Sequence, residues 1–310
     1  MSAKVIALCV TYEPDLDRFG RVLRALAAQV SMVLVLDNST STDAQAAVLA
    51  LAHQVPAADY VGLWGNRGLG AAYNQGIEIA RAQAASFVLL LDQDSIVADD
   101  MVQHLLAVYD EPMAVDHVSG EPVPLIAACG PRYVDRLTGR RSVLLADRGI
   151  SMGRLDESVA GTAWADSAML ISSGSLIPLS VLDQLGGFDE GFFIDHIDTD
   201  FCLRARAQGM RLLVVSAAGM EHELGHEHQR IWWGHWRELP IHQPQRLYYI
   251  FRNSLRLMAR PYAPWRWRLF DLRRLGVIMS VHLIAPGPRL ARLGQALRGV
   301  GAGLLGRKGP

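Results

Sequence analysis

Cysteine is scarce in this chain. Cys9, Cys129 and Cys202 are the only three in 310 residues, too few and too scattered for a disulfide framework, which points to a reducing, cytoplasmic compartment. Strong net charge is missing as well. The formal value is -1, which argues against a general nucleic-acid binder. No run is apolar for long enough to make a spanning helix; the nearest, residues 276–287, is too short. The opening run MSAKVIALCV meets Glu13, Pro14 and Asp15 at once, unlike a secretory leader. Internal repeats and low-complexity stretches are also lacking. Apolar material, by contrast, is ample. Hydrophobic residues make up 50% of the chain and charged ones 20%, which suits a sizeable core and excludes global disorder.

The order of elements reads as α/β. Apolar, β-branched runs at residues 4–10, 32–36, 60–63 and 87–91 predict buried strands. Helical spacing at 15–28 and a helix at 43–52 fall between them. Such alternation predicts a mainly parallel, Rossmann-like sheet flanked by helices. Ligands bind such sheets beyond the carboxyl ends of the strands. Thr11–Glu13, Asp37–Asn38, Asn66–Arg67–Gly68 and Asp92–Gln93–Asp94 all fall there. Further strands are expected at 125–133, 142–145, 167–171 and 211–215, with helices opened by Pro178 and across 198–208. Past Pro244 the chain reads as helix in three pieces, broken at Pro261–Pro264 and Pro286–Pro288. The expected division is a catalytic domain over 1–240 and a helical C-terminal region over 241–310.

LLLDQDS sets Asp92 and Asp94 two apart just past a buried strand. Such a pair suits a hard divalent cation, which takes oxygen ligands and shares them with phosphates; alone, it would equally suit a solvated turn. In GNRGLGAAYNQG the glycines at 68 and 70 give G-x-G, but Tyr73 stands at the third position and the loop follows the third strand. That disfavours a dinucleotide dehydrogenase. It leaves a loop at a helix start, with Arg67 either facing a diphosphate or simply solvated. A separate acidic cluster, Asp195, Asp198 and Asp200, lies at another helix start. The helix terminus is expected to favour the charged form of Asp198. Asp198 would otherwise be an N-cap, and Asp200 a first-turn acid.

HELGH at 222–226 matches the H-E-x-x-H zinc-protease pattern. That chemistry needs both histidines on one helical face, whereas Gly219 and Gly225 and the preceding strand favour strand or loop. The protease is therefore a weak alternative. A nucleotide-sugar or carbohydrate-binding protein without catalysis is another, and Asp94 and Asp198 speak against it.

Taken in order, TYEPD, LDNS, NRGLGAAYNQGI, LLLDQDS, CGPR, ISSG, GGFDEGFFIDHIDTDFCLRA, MEHELG and PQRLYYIFRNS resemble inverting family-2 nucleotide-sugar glycosyltransferases, over about residues 5–254. The resemblance implies the GT-A fold. Within the family it is greatest to bacterial rhamnosyltransferases using dTDP-L-rhamnose, in O-antigen and rhamnolipid synthesis, so lipid-borne glycans or glycolipids are the implied acceptors. It implies that Thr11, Glu13, Asp37, Asn38, Asn66, Arg67, Gly68, Asp92 and Gln93 bind the nucleotide sugar. It gives Mg²⁺ or Mn²⁺ to Asp94, Asp92 and His222, and makes Asp198 the catalytic base. The family's acidic motif usually has two adjacent acids. Here Ile197 precedes Asp198, which leaves Asp195 and Asp200 open as alternatives.

The tail has a charge of its own. From Arg260 onward, ten basic residues face one acid, Asp271, and Trp265, Trp267 and Phe270 lie among them. Basic aromatic helices of this kind lie in membrane interfaces. The expectation is peripheral attachment to the cytoplasmic face of a bacterial inner membrane. A cap on the catalytic domain and a homodimer contact are the alternatives.

Overall fold

A computed structural model describes residues 3–110, 124–135, 139, 145–147, 152–154, 163–222, 228–232 and 236–310. The first half alternates as expected: β1 (Val5–Thr11), α1 (Leu16–Ala27), β2 (Met32–Asp37), α2 (Thr42–Ala52), β3 (Ala58–Gly62), α3 (Leu69–Ala82) and β4 (Phe87–Asp92). Then come β5 (Ile96–Val97), α4 (Met101–Asp110), β6 (Ile126–Asp135), β7 (Leu145–Asp147), β8 (Met152–Arg154), β9 (Trp164–Asp166) and β10 (Leu176–Pro178). The chain continues through α5 (Leu179–Leu185), α6 (Ile197–Ala207), β11 (Arg211–His222), β12 (His228–Trp232) and β13 (Trp236–Pro240). It closes with α7 (Pro244–Met258), α8 (Trp265–Ile284) and α9 (Arg289–Leu304).

Among the described residues a nine-stranded sheet runs β3-β2-β1-β4-β10-β6-β11-β5, with β9 also on β11. β3, β2, β1 and β4 are parallel neighbours, as are β6 and β11. The short β10 is antiparallel to β4 and β6, while β5 and β9 are antiparallel to β11. Strand periodicity divides the core between the two faces. Ile6, Leu8, Leu34 and Leu36 pack with α3, α5 and α6, whereas Val5, Ala7, Val33 and Val35 pack with α1 and α4. This is the GT-A arrangement with C-terminal helices.

Two expectations need correction or limits. The strand expected at 167–171 is absent. Ser167 turns the chain there by donating its hydroxyl to the Met169 carbonyl at 2.7 Å, and the strand lies just before it, as β9. Of the strand expected at 142–145, only Leu145 is described, as the start of β7; residues 142–144 lie outside the described residues.

The three tail helices occur at the proline breaks foreseen. Leu247, Ile250, Phe251, Leu275 and Ala296 give them a small core of their own, while Leu257, Ala263 and Trp267 enter the sheet core. α7 and α9 touch at glycines: a Cβ on Gly299 would stand 2.4 Å from the Tyr248 carbonyl oxygen. Among the described residues no helix is long and apolar enough to cross a membrane.

Candidate functional site

The carboxyl ends of β1, β2 and β4 lie in register at one edge, Thr11 opposite Asp37 and Val10 opposite Asp92. A two-residue turn follows β4 and presents Asp94. β11, from the far half of the sheet, ends at His222. One ligand atom each from Asp92, Asp94 and His222 lies within 4.8 Å of the others. Buried serines hold this group. The Asp92 amide donates to Ser173 Oγ at 3.2 Å, Ser173 donates to Ser95 Oγ at 2.8 Å, and Ser95 Oγ stands 2.7 Å from His222 Nδ1. Burial, then the charges of Asp94 and Asp198, push the Asp92 carboxyl up to about 7, and Arg246 opposes them. Hard oxygen donors plus one imidazole, with surplus negative charge, fit a divalent cation.

The acidic cluster sits on a strained loop. Phe193, Asp195 and His196 have φ of 65°, 60° and 65°, a region that costs non-glycine residues energy and persists only where its surroundings impose it. The surroundings are visible. Asn253 Nδ2 donates to the carbonyls of Phe192, Ile194 and Asp195, at 2.9, 2.6 and 3.1 Å. Arg252 donates to the Phe192 carbonyl at 2.9 Å. YYIFRNS therefore clamps the loop. Gly68 meets it from the other side: its φ is +87°, and a Cβ there would lie 2.7 Å from the Phe193 carbonyl oxygen. Leu69 N donates to that oxygen at 2.7 Å.

The three acids differ in their partners. Asp195 accepts from Arg246 at 3.0 and 3.3 Å. Asp200 is fully buried, accepting from Arg204 Nε at 2.8 Å and from the Tyr262 hydroxyl. Asp198 Oδ1 accepts from the amide and hydroxyl of its neighbour Thr199, and the residue lines the cleft. The helix terminus was expected to favour its charged form. Burial outweighs that and raises the carboxyl above its usual range, against the Thr199 amide.

The cleft has a volume of about 440 Å³ and gathers Asn38, Asn66, Gly68, Asp92, Gln93, Asp94, Asp195, Asp198 and His222. Thr11 and Asp37 lie beneath it, fully buried and bonded to each other at 2.9 Å; Asp37 also accepts from Tyr60. Glu13 is exposed, and its Oε1 accepts from the Thr40 and Ser41 amides at the start of α2, which lowers its pKa. The exposed Arg67 side chain borders a different groove, with Asn74, Glu78 and Arg81; only its amide, donating to Asn38 Oδ1 at 3.0 Å, joins this region. Sequence reasoning missed Arg246, which lines the cleft. PQRLYY did contain it, but nothing local signals that α7 turns that arginine toward Asp92. In HELGH, His222 ends a strand, not a helix, and Glu223 to His226 lie outside the described residues. A second cavity of about 350 Å³ adjoins the cleft and shares Asp195, His196 and Asp198 with it.

Such a cleft offers a cation-type cluster, a guanidinium and a separate carboxylate, the groups needed to stabilise a departing diphosphate and accept a proton. The family model "Glycosyl transferase family 2" matches residues 7–121, and "Glycosyl transferase family group 2" matches residues 87–297. The dTDP-rhamnosyl transferase RfbF of Shigella flexneri is 27% identical over 267 residues, 85% of this chain and 83% of that protein. Among solved structures, S. aureus TarS 1-349 in complex with UDP-GlcNAc gives a TM-score of 0.56 at 16% identity, covering 96% of this chain and 80% of that one. GalNAc-T7 with UDP, GalNAc and Mn2+ also gives 0.56, at 13% identity over 90% of this chain, which spans 56% of the GalNAc-T7 chain.

Proposed function

The chain belongs to glycosyl transferase family 2, and from that premise we propose that it is a metal-dependent inverting rhamnosyltransferase. It moves L-rhamnose from dTDP-L-rhamnose to a hydroxyl of a lipid-borne glycan or glycolipid. One observation carries the reaction type: Asp198 lines the same cleft as the Asp92, Asp94 and His222 cluster. The donor is supported by the likeness to the Shigella enzyme over most of both chains.

Asp94, Asp92 and His222 would hold Mg²⁺ or Mn²⁺, which would supply positive charge to neutralise the diphosphate. Arg246 adds a fixed positive charge beside the same group, and Asn38, Asn66, Gly68 and Gln93 line the nucleotide's side of the cleft. The Asp198 carboxylate takes the proton from the acceptor hydroxyl as that oxygen bonds to the anomeric carbon. The bond from that carbon to the diphosphate breaks on the opposite face, dTDP leaves, and the configuration inverts. Thr11 and Asp37 act from beneath, by holding the ends of β1 and β2 together. We read 1–240 as the catalytic domain and 241–310 as the helical region that brings it to the membrane surface. Support for that surface comes from α8, whose exposed Trp265, Leu269, Leu272 and Val277 lie beside exposed Arg273.

Calorimetry with Mg²⁺ tests the donor. dTDP should bind more tightly than GDP or ADP, and dTDP-L-rhamnose should release dTDP on turnover. Equal binding of the three nucleotides would remove the basis for the rhamnose assignment while leaving the family membership standing.

A further inference from the structure

α6 begins on a strained residue. His196 has φ of 65° and occupies the cap position, with no side-chain cap bond at the helix start. Its carbonyl accepts the first helical bond, from the Asp200 amide at 2.9 Å. Asp198 stands between the two, so the start of α6 sets where that carboxylate points. The backbone clamp from Asn253 ends at the Asp195 carbonyl. At His196 the side chain takes over. It is buried, its ring meets Trp267 edge-on, and its Nε2 accepts from Arg274 Nη2 at 2.8 Å. Ser254 Oγ stands 2.9 Å from the same nitrogen and accepts from Arg274 at 3.2 Å. A guanidinium only donates, so Nε2 is the ring's lone pair and the proton sits on Nδ1. Burial keeps the imidazole neutral, lowering its pKa to about 4. Asp271 completes the relay. Its Oδ1 accepts from Arg274 Nε at 2.6 Å, whereas its Oδ2 is 4.0 Å from His196, too far for a hydrogen bond.

We propose that Arg274 is a positioning residue for the transfer reaction: from α8 it fixes His196, and through His196 it holds the left-handed start of α6 and the Asp198 carboxylate in place. The proposal rests on the reading of Asp198 as the base. A bulky residue at positive φ relaxes unless its surroundings over-determine it, and Arg274 is the charged group that ties this one to α8. The fork matters as much as the charge. Nε faces Asp271 while Nη2 faces His196 and Ser254, so three partners are held at once. A lysine ammonium keeps the charge but not that geometry. α8 thus serves the chemistry with its inner face, while its outer face carries the exposed apolar stripe.

Two measurements on the full chain test this. The first is release of dTDP from dTDP-L-rhamnose with Mn²⁺ and no added acceptor, so that water is the nucleophile and acceptor binding plays no part. Arg274→Gln should slow this hydrolysis by about 10- to 100-fold, the cost of an ångström-scale misplacement, with KM for dTDP-L-rhamnose and Mn²⁺ affinity unchanged. Arg274→Lys should retain more of the rate. Arg274→Gln strands the buried Asp271 charge and can lose its fold; Arg274→Gln combined with Asp271→Asn removes both charges and should fold with the same defect. The second measurement is ¹⁵N NMR of histidine-labelled protein, which needs no turnover. His196, assigned by its loss in His196→Gln, should show one neutral tautomer with the proton on Nδ1. Arg274→Gln should abolish that preference, because Nε2 can then carry a proton toward Asp271. Hydrolysis at the parent rate in Arg274→Gln or in the double variant, or an Nε2–H tautomer in the parent, overturns the proposal. Asp198→Asn in the same assay separates the two readings. If it hydrolyses the donor normally, the base assignment fails; if it is inactive while Arg274→Gln is not slowed, the positioning role fails alone.

Discussion

His222 Nδ1 stands 3.8 Å from the Asp94 carboxylate, although one ends β11 and the other follows β4. Between them Ser95 Oγ touches His222 at 2.7 Å and Asp94 Oδ1 at 3.5 Å. The serine is fully buried, so both partners are oriented by a group that water does not compete for. The pairing depends on β11 sitting beside β5 at the sheet's far edge, with Met220 opposite Val97.

Asp94→Ala should therefore reduce transfer by about 100-fold or more, the usual cost of losing charge stabilisation at a reacting group. Circular dichroism should be unchanged, since Asp94 is only partly buried, and Mn²⁺ binding followed by electron paramagnetic resonance should be lost. Ser95→Ala should weaken Mn²⁺ without abolishing it. Near-normal turnover of Asp94→Ala, with the metal still required, would remove the cation site.

Substituting the clustered acids should have three different consequences. Asp198→Asn should keep dTDP and Mn²⁺ binding but abolish transfer, because an amide cannot take the acceptor's proton. Asp200→Asn should chiefly destabilise the fold, by roughly 3–5 kcal/mol, the cost of breaking a buried pair, here with Arg204. The rate should fall as pH drops through the raised Asp198 pKa, so its acid limb should lie above the ordinary carboxylate value of 3.8. Asp195 contributes to that rise, so Asp195→Asn should move the limb to lower pH. An active Asp198→Asn beside an inactive Asp195→Asn would transfer the base role to Asp195.

The strand ends were legible because each of β1, β2 and β4 is a continuous apolar run stopped by a polar residue, a pattern that buried parallel strands require. Asp92 and Asp94 were legible by position for the same reason. Choosing among Asp195, Asp198 and Asp200 was not, because the choice depends on Arg246 and Tyr262, which arrive from helices later in the chain. Arg252 and Asn253 read as part of a helix, and nothing local announces that they reach back to the 192–195 carbonyls. The strand expected at 167–171 failed for another reason: apolar residues there fill the core from a turn, and β-type composition alone does not distinguish the two.

Acid should destabilise the protein through its buried histidines. Burial lowers His196 and His242 from 6.5 to about 4. Between those values the unfolded chain binds protons that the folded one refuses, so their contribution is intact above 6.5 and is lost as pH falls toward 4. Each such group contributes a slope of about 1.4 kcal/mol per pH unit. Asp92 and Asp198, with raised pKa values, act in the opposite sense over part of the same range. The informative quantity is therefore a difference. In urea titrations with chelator at several pH values, His196→Gln should lose stability less steeply than the parent on acidification. Parallel curves would show that His196 is not held neutral.

The tail should bind anionic membrane peripherally. On α8, Trp265, Leu269, Leu272 and Val277 are 61%, 38%, 57% and 56% exposed and spaced to share one helical stripe, with Arg273 exposed beside them. Not every arginine of the tail is free for this. Arg274 bonds Asp271, His196 and Ser254, and Arg268 bonds the carbonyls of Ala263 and Arg260. The test should therefore use Arg273→Gln with Arg298→Gln and Arg307→Gln, three exposed residues whose loss should leave the fold intact. Full-length protein should co-sediment with phosphatidylcholine vesicles containing phosphatidylglycerol at low salt and be released as salt rises. The triple variant should bind less at every salt concentration, with dTDP affinity and melting temperature unchanged. Leu272→Glu should weaken binding even at low salt, because it removes the apolar anchor as well as adding like charge. If the parent never sediments with these vesicles, and the triple variant instead changes the oligomeric state in solution, the face joins two copies of this chain and the lipid-borne acceptor loses its support.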